Sequence, residues 1–278
     1  MIIHQILRSN RLRRMVLLLL AMTVATGACR KKEASNEVNI IPLEKHQNTY
    51  NTDFYHISVE YPIEQWDYDG DIKQFVDDVV SYYKRDWSPG GFYYEKEMSF
   101  RGGIRDKKQY PKQELVIRYE KFFSPRIDIH AYLFTIYVYT GGANGMSTVA
   151  TFNFNQNGLI RSDEAMNLSS RKEVQLAKLI AATALKDRER FQKDFVYEGL
   201  GLNYLYADGI TPNAELMGRN NFQFSSVYQN FLLTDEGVRF CFDKYKIAAG
   251  AVGTPSILLT WDQMNPFVEK KSLLINSF

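Results

Sequence analysis

Residues 127–154 constrain the fold more than any other stretch of this chain. They read IDIHAYLFTIYVYT, then GGANGM, then STVATFNF. Two apolar, aromatic-rich runs flank a glycine-rich bend, which is the pattern of a long β-hairpin. Both faces of the first arm are apolar: Ile129, Leu133 and Tyr137 alternate with Tyr132, Phe134, Ile136 and Val138. A strand apolar on both faces is covered twice, so this arm is expected at the centre of the molecule. In the second arm Ala150, Phe152 and Phe154 alternate with Val149, Thr151 and Asn153. Asn157-Gly158 then supplies a tight turn, because both residues tolerate positive φ.

The other elements are read from the period of their apolar residues. Tyr55–Tyr61 sets Ile57, Val59 and Tyr61 against His56, Ser58 and Glu60, a half-buried strand closed by Pro62. From Asp71 to Asp86 the period changes. Ile72, Phe75, Val76, Val79, Val80 and Tyr83 line one helical face, ended by Ser88-Pro89-Gly90-Gly91. Phe92–Phe100, Glu114–Phe122 and Ser256–Trp261 read as strands. Phe222–Leu233 and Gly237–Phe242 read as a strand pair turned by Thr234-Asp235-Glu236-Gly237. Ser170-Arg171-Lys172-Glu173 has capping-box spacing and opens a helix to about Arg190, with Leu176, Leu179, Ile180 and Ala184 inward. Aromatic content of 14% suits pleated, half-buried surfaces. The expected fold class is α+β: an antiparallel sheet meander with two main helices and two packed subdomains, residues 51–165 and 166–278.

The N-terminus reads as an address. Arg8, Arg11, Arg13 and Arg14 precede an apolar or small run, Met15 to Ala28, and then Cys29. The run is too short to cross about 30 Å of hydrocarbon as a helix. Thr26-Gly27-Ala28-Cys29 resembles the bacterial lipoprotein signal, in which the cysteine is acylated and becomes the first mature residue; Thr26 stands where leucine is commoner. This reading gives a signal peptide over 1–28, lipidation at Cys29, a polar tether over 29–50 and a lipid-anchored envelope protein; an uncleaved anchor and a plain secretory signal are the alternatives. Removing the four arginines takes the formal charge from +2 to about −2. That excludes a nucleic-acid partner, which needs a basic footprint, and leaves the acyl groups to hold the membrane. The second cysteine, Cys241, then has no intrachain partner and reads as a buried thiol, with an interchain bridge as the alternative.

Catalytic signals are missing. HExxH, CxxC, GxSxG and P-loop patterns do not occur, so neither a cofactor nor enzymatic activity is expected. His130 lies two residues from Asp128, a spacing that sets two metal-capable side chains on one strand face; a plain surface pair is the simpler reading, and no metal site is assigned. Gly141, Gly142, Asn144 and Gly145 form the candidate ligand-binding bend, since exposed amides there can hold an anion. Glycines at a bend also serve positive φ, and that structural use competes with the ligand. Tyr197, Tyr204, Tyr206, Phe222, Phe224 and Tyr228 offer aromatic surface for protein or sugar contacts or, for most of them, core packing.

Two stretches carry a family resemblance. Tyr139-Thr140-Gly141-Gly142-Ala143-Asn144-Gly145 resembles a YTGGAHG turn. Phe231–Phe240, with Phe242, Tyr245, Ile247, Ala248 and Gly250, resembles a strand, a T-x-E-G turn, an F-x-F-x-x-Y strand and an I-A-x-x-x-G loop. Both occur in the paired domains of unknown function of the lysozyme-sensing anti-sigma factor RsiV and the N-terminal region of the peptidoglycan deacetylase PdaC. The resemblance spans about Phe54 to Val268. It implies a two-part α+β unit in an envelope that binds a protein, lysozyme-like, or a cell-wall glycan (peptidoglycan), without catalysis. Asn144 replaces the family's turn histidine. A cell-wall hydrolase with an unrecognised site and an assembly lipoprotein are the alternative readings.

Overall fold

The alternating runs form a six-stranded sheet of order β1-β2-β3-β4-β5-β6. Its strands are β1 (Lys45–Asn51), β2 (Tyr55–Pro62), β3 (Gln113–Ser124), β4 (Ile129–Tyr139), β5 (Met146–Asn155) and β6 (Gly158–Leu159). A second sheet, β7-β8-β9, comprises Phe231–Thr234, Gly237–Cys241 and Ser256–Thr260. Helices α1 (Asp69–Asp86), α2 (Phe92–Phe100), α3 (Ser162–Ala165), α4 (Ser170–Ala184), α5 (Lys193–Gly199), α6 (Ala214–Arg219), α7 (Ser225–Tyr228) and α8 (Trp261–Met264) complete an α+β fold. This computed structural model describes residues 45–63, 69–100, 112–166 and 168–268. All of them lie within the unit Leu43–Phe278. The expected signal peptide, Cys29 and the tether before Lys45 fall outside the described residues.

Strand β4 is indeed covered twice. Tyr132, Phe134 and Ile136 face a cluster with Ile57, Val59, Leu115 and Ile117, onto which α1 lays Ile72, Val76 and Val80. Ile129 and Ala131 face the opposite way, into a larger cluster built from α4 and the second sheet. The expected division at residue 165 therefore runs through a cluster drawing on both sides of it.

Four local readings change. Lys45–Asn51, within the expected tether, is an exposed edge strand paired antiparallel with β2. Strand β2 pairs with β3 in parallel, so the sheet is mixed rather than a pure meander. Parallel neighbours need a long crossover, and α1 and α2 lie within it. Phe92–Phe100 is helical, not a strand. Its Tyr94, Glu97 and Met98 share a helical face, the Asp86 carboxylate accepts from the Tyr93 amide at 3.1 Å, and Glu95 accepts from the Gly90 amide at 3.0 Å. These local caps override the aromatic strand propensity. Phe222–Leu233 splits into the turn of α7 and the short strand β7, with Phe222, Phe224 and Tyr228 buried.

The capping box at Ser170 does not form either. Ser169 is the N-cap, without a side-chain cap bond, and α4 stops at Ala184. Glu173 instead accepts a 2.7 Å hydrogen bond from the Tyr228 hydroxyl, tying α4 to α7.

Cys241 ends β8 and is a buried free thiol. Burial pushes its pKa up to about 12. Because the thiolate is the reactive form, the native thiol is protected both electrostatically and sterically. In a Cys29→Ala chain at pH 8, Cys241 should resist Ellman's reagent until urea unfolds the protein. Fast labelling without denaturant would show that β8 opens readily.

Candidate ligand-binding groove

The two stretches that carry the family resemblance, about a hundred positions apart, meet in space. Lys244 donates its amide to the Ser147 carbonyl at 2.9 Å and its ammonium to the Gly145 carbonyl at 3.0 Å. Asp243 accepts from the Val149 amide at 2.8 Å. Residues 243–244 thus satisfy backbone groups on the outer edge of β5, which would otherwise invite pairing with another strand. From the other side of the bend, the Tyr93 hydroxyl of α2 donates to the Thr140 carbonyl at 3.2 Å.

Between these anchors Gly141, Gly142, Ala143 and Asn144 are exposed, whereas Gly145 is buried. The glycines serve different ends. Gly141 has φ of 86°, which favours glycine. A Cβ on Gly145 would sit 2.2 Å from the Tyr137 ring, so its bare backbone lets that ring lie over the bend. Gly142 has open space where its side chain would be. Asn144 stands exposed at the end of the projecting segment.

Beneath the bend a groove of about 350 Å³ opens on the sheet face opposite α1, lined by Glu114, Val116, Arg118, Thr135 and Tyr137. The register explains the set: Val116 lies opposite Tyr137 and Arg118 opposite Thr135 across the β3–β4 ladder. Among the described residues, the second sheet covers the lower part of this face and none covers the upper part. The volume lies in the range of small-ligand sites. The glycine signal in the sequence marks the bend and not these lining residues. Their signal is the alternation Glu114, Val116, Arg118 on the polar side of β3.

The remaining candidates do not converge on the groove. Asp128 leaves the strand in a turn with φ of 50°, so it does not share a strand face with His130. His130 stacks on Phe123, with ring centroids 4.7 Å apart. Among the described residues there is no group of three or more His, Cys, Asp or Glu that could hold a metal. Tyr206 is 53% exposed, at a loop whose Asp208 carboxylate accepts from the Thr211 hydroxyl at 2.5 Å. That hydroxyl and the Thr211 and Ile210 amides lower the Asp208 pKa to about 2.

Asp243 is a titratable group that holds the edge of β5 beside the bend. Burial raises its pKa above 3.8, opposed by the Val149 amide and the Lys246 charge. With a raised folded-state pKa, its protonated form stabilises the fold below the unfolded value. That contribution disappears as pH rises through the folded value. Asp243→Asn keeps an acceptor for Val149 and removes the buried charge, so it should be at least as stable as wild type at pH 7. Its relative advantage should vanish below about pH 4. Asp243→Ala strands the Val149 amide and should cost about 1–3 kcal/mol in urea unfolding.

No curated protein matches this chain significantly. The fold is similar to a crystal structure of a DUF3298 family member from Bacteroides fragilis NCTC 9343, at 15% identity and a TM-score of 0.48, covering 85% of this chain and 97% of that one. It is also similar to a DUF3298 family protein from Pseudomonas aeruginosa PAO1, at 14% identity and a TM-score of 0.45, covering 84% and 96%. Residues 170–262, from α4 through the second sheet, match the model of DUF3298, a family described as proteins of unknown function.

Proposed function

We propose that this protein is an envelope lipoprotein, anchored through acylated Cys29, whose domain binds a protein or cell-wall glycan ligand without catalysis. The observation that carries the binding half is the open groove on the β3–β4 face, whose Tyr137 ring lies over the bend that Lys244 braces from the β5 edge. A tyrosine ring, an arginine and a carboxylate beside a small apolar floor suit recognition, because they combine rigid contact area with directional polar groups. The anchor rests on the N-terminal pattern of four arginines, an apolar run and a cysteine. Acyl groups would place the domain at a membrane surface whatever its own charge.

The binding half is tested by titrating lysozyme and purified muropeptides into wild type and a Tyr137→Ala, Arg118→Ala variant. A complex that weakens at least tenfold in the variant supports the groove. No heat with either ligand would remove the support for this reading. For the anchor, labelled palmitate should enter the wild-type chain and not Cys29→Ala; label persisting in the variant overturns it.

A further inference from the structure

Strand β3 places Glu114, Val116 and Arg118 on one face, and all three line the groove. The charges are therefore opposite in sign and four residues apart, with an apolar residue between them. Glu114 is half-buried and Arg118 exposed. Among the described residues neither is in a salt bridge or a side-chain hydrogen bond. Arg118 does lie close enough to Glu60 to help lower that carboxylate's pKa, but Glu60 is held by Lys45 at 3.0 Å and Gln47 at 2.6 Å. Glu120 follows on the same face and does not line the groove.

Four residues of strand span about 13 Å between Cα atoms. An extended chain covers about 3.3–3.6 Å per residue, so three residues span about 10–11 Å and a charge-assisted contact of about 3 Å at either terminus covers the rest. The centre of the groove suits such a ligand. Val116 and the Tyr137 ring give apolar contact, and the Thr135 hydroxyl gives a donor and an acceptor. Resting on the reading of this groove as the binding surface, we infer that it takes a short extended peptide with free termini. The ammonium sits at Glu114 and the terminal carboxylate at Arg118.

The test is a four-peptide titration of the full-length chain in detergent, followed by calorimetry. The ligands are trialanine, its N-acetyl form, its C-terminal amide and the doubly blocked form; chitotetraose and lysozyme are run beside them. Trialanine should bind, and each block should weaken it about ten- to hundred-fold, the range for losing one charge-assisted contact. In Glu114→Gln the N-acetyl penalty should disappear while the amide penalty stays. In Arg118→Gln the reverse should hold. This pairing separates recognition from misfolding, since a damaged fold loses all binding together. Equal binding of free and blocked peptides overturns the inference, as does an unchanged penalty pattern in the variants. If chitotetraose or lysozyme binds in a Tyr137-dependent way and trialanine does not, the peptide inference fails and the binding reading stands. If no ligand responds to Tyr137→Ala, both fail.

Discussion

Replacing Asn153 by alanine should destabilise the protein by about 2–5 kcal/mol, measured by chemical denaturation at pH 7. Asn153 is a polar residue at 1% exposure, between the two sheets. Its amide nitrogen donates to the Phe231 carbonyl at 2.9 Å, and its amide oxygen accepts from the Leu233 amide at 2.8 Å. Thr151 accepts from the Phe231 amide at 2.9 Å, and the Ser124 hydroxyl donates to the Leu233 carbonyl at 3.3 Å. β7 is the edge strand of its sheet, so these side chains take the place of a neighbouring strand. Alanine would strand one buried donor and one buried acceptor. Asn153→Asp separates the two halves of the role. It keeps an acceptor for Leu233 but turns an ionised oxygen toward the Phe231 carbonyl. Burial, with the Phe231 carbonyl rather than a donor facing the second oxygen, raises the folded-state pKa of the introduced carboxyl. The aspartate variant should therefore approach wild type below about pH 4 and lose stability as pH rises through that raised value. A loss under 1 kcal/mol for Asn153→Ala would mean that water reaches the seam between the sheets.

Asn153 also marks where sequence reading stops. Its place in an alternating strand is legible, and so are the central hairpin, the face of α1 and the β7–β8 turn, because each is written in local periodicity. In sequence, though, Asn153 looks like an ordinary outward residue, since nothing local says that an edge strand will arrive there. The parallel pairing of β2 with β3 is hidden for the same reason: the register joins residues more than fifty positions apart. Phe92–Phe100 misleads because its aromatic content outweighs a helical spacing of only two turns. The groove was half legible. The bend carries a glycine signal, while Glu114, Arg118, Thr135 and Tyr137 become a set only once β3 and β4 are in register. The contact of Asp243 and Lys244 with β5 recasts the second motif as an edge cover, a role its sequence pattern does not state.

The other large effect is expected at Gly237, the last residue of the Thr234–Gly237 turn. Its φ is 151°, and a Cβ there would lie 2.0 Å from the Leu259 carbonyl oxygen and 2.8 Å from the Thr260 Cα. Both obstacles are backbone of β9, so no side-chain rotation relieves them. Gly237 pairs with Thr234 on one side and with Thr260 on the other, in the middle strand of a three-stranded sheet. Pushing β9 away would disturb the Thr260 cap of α8. It would also strain the 3.0 Å bond from the Trp261 indole to the Thr234 carbonyl. Gly237→Ala should therefore cost about 2–4 kcal/mol, combining overpacking with an unfavourable backbone conformation. Gly218 is the matched control. It lies exposed within α6 with nothing within 4 Å of an added Cβ. Gly218→Ala should stabilise the protein by about 0.5–1 kcal/mol, because alanine loses less freedom in a helix. Urea unfolding of the two variants should thus shift in opposite directions. A Gly237→Ala chain as stable as wild type would show that β9 yields at its first contact with β8, and that this pairing is not what fixes the second sheet.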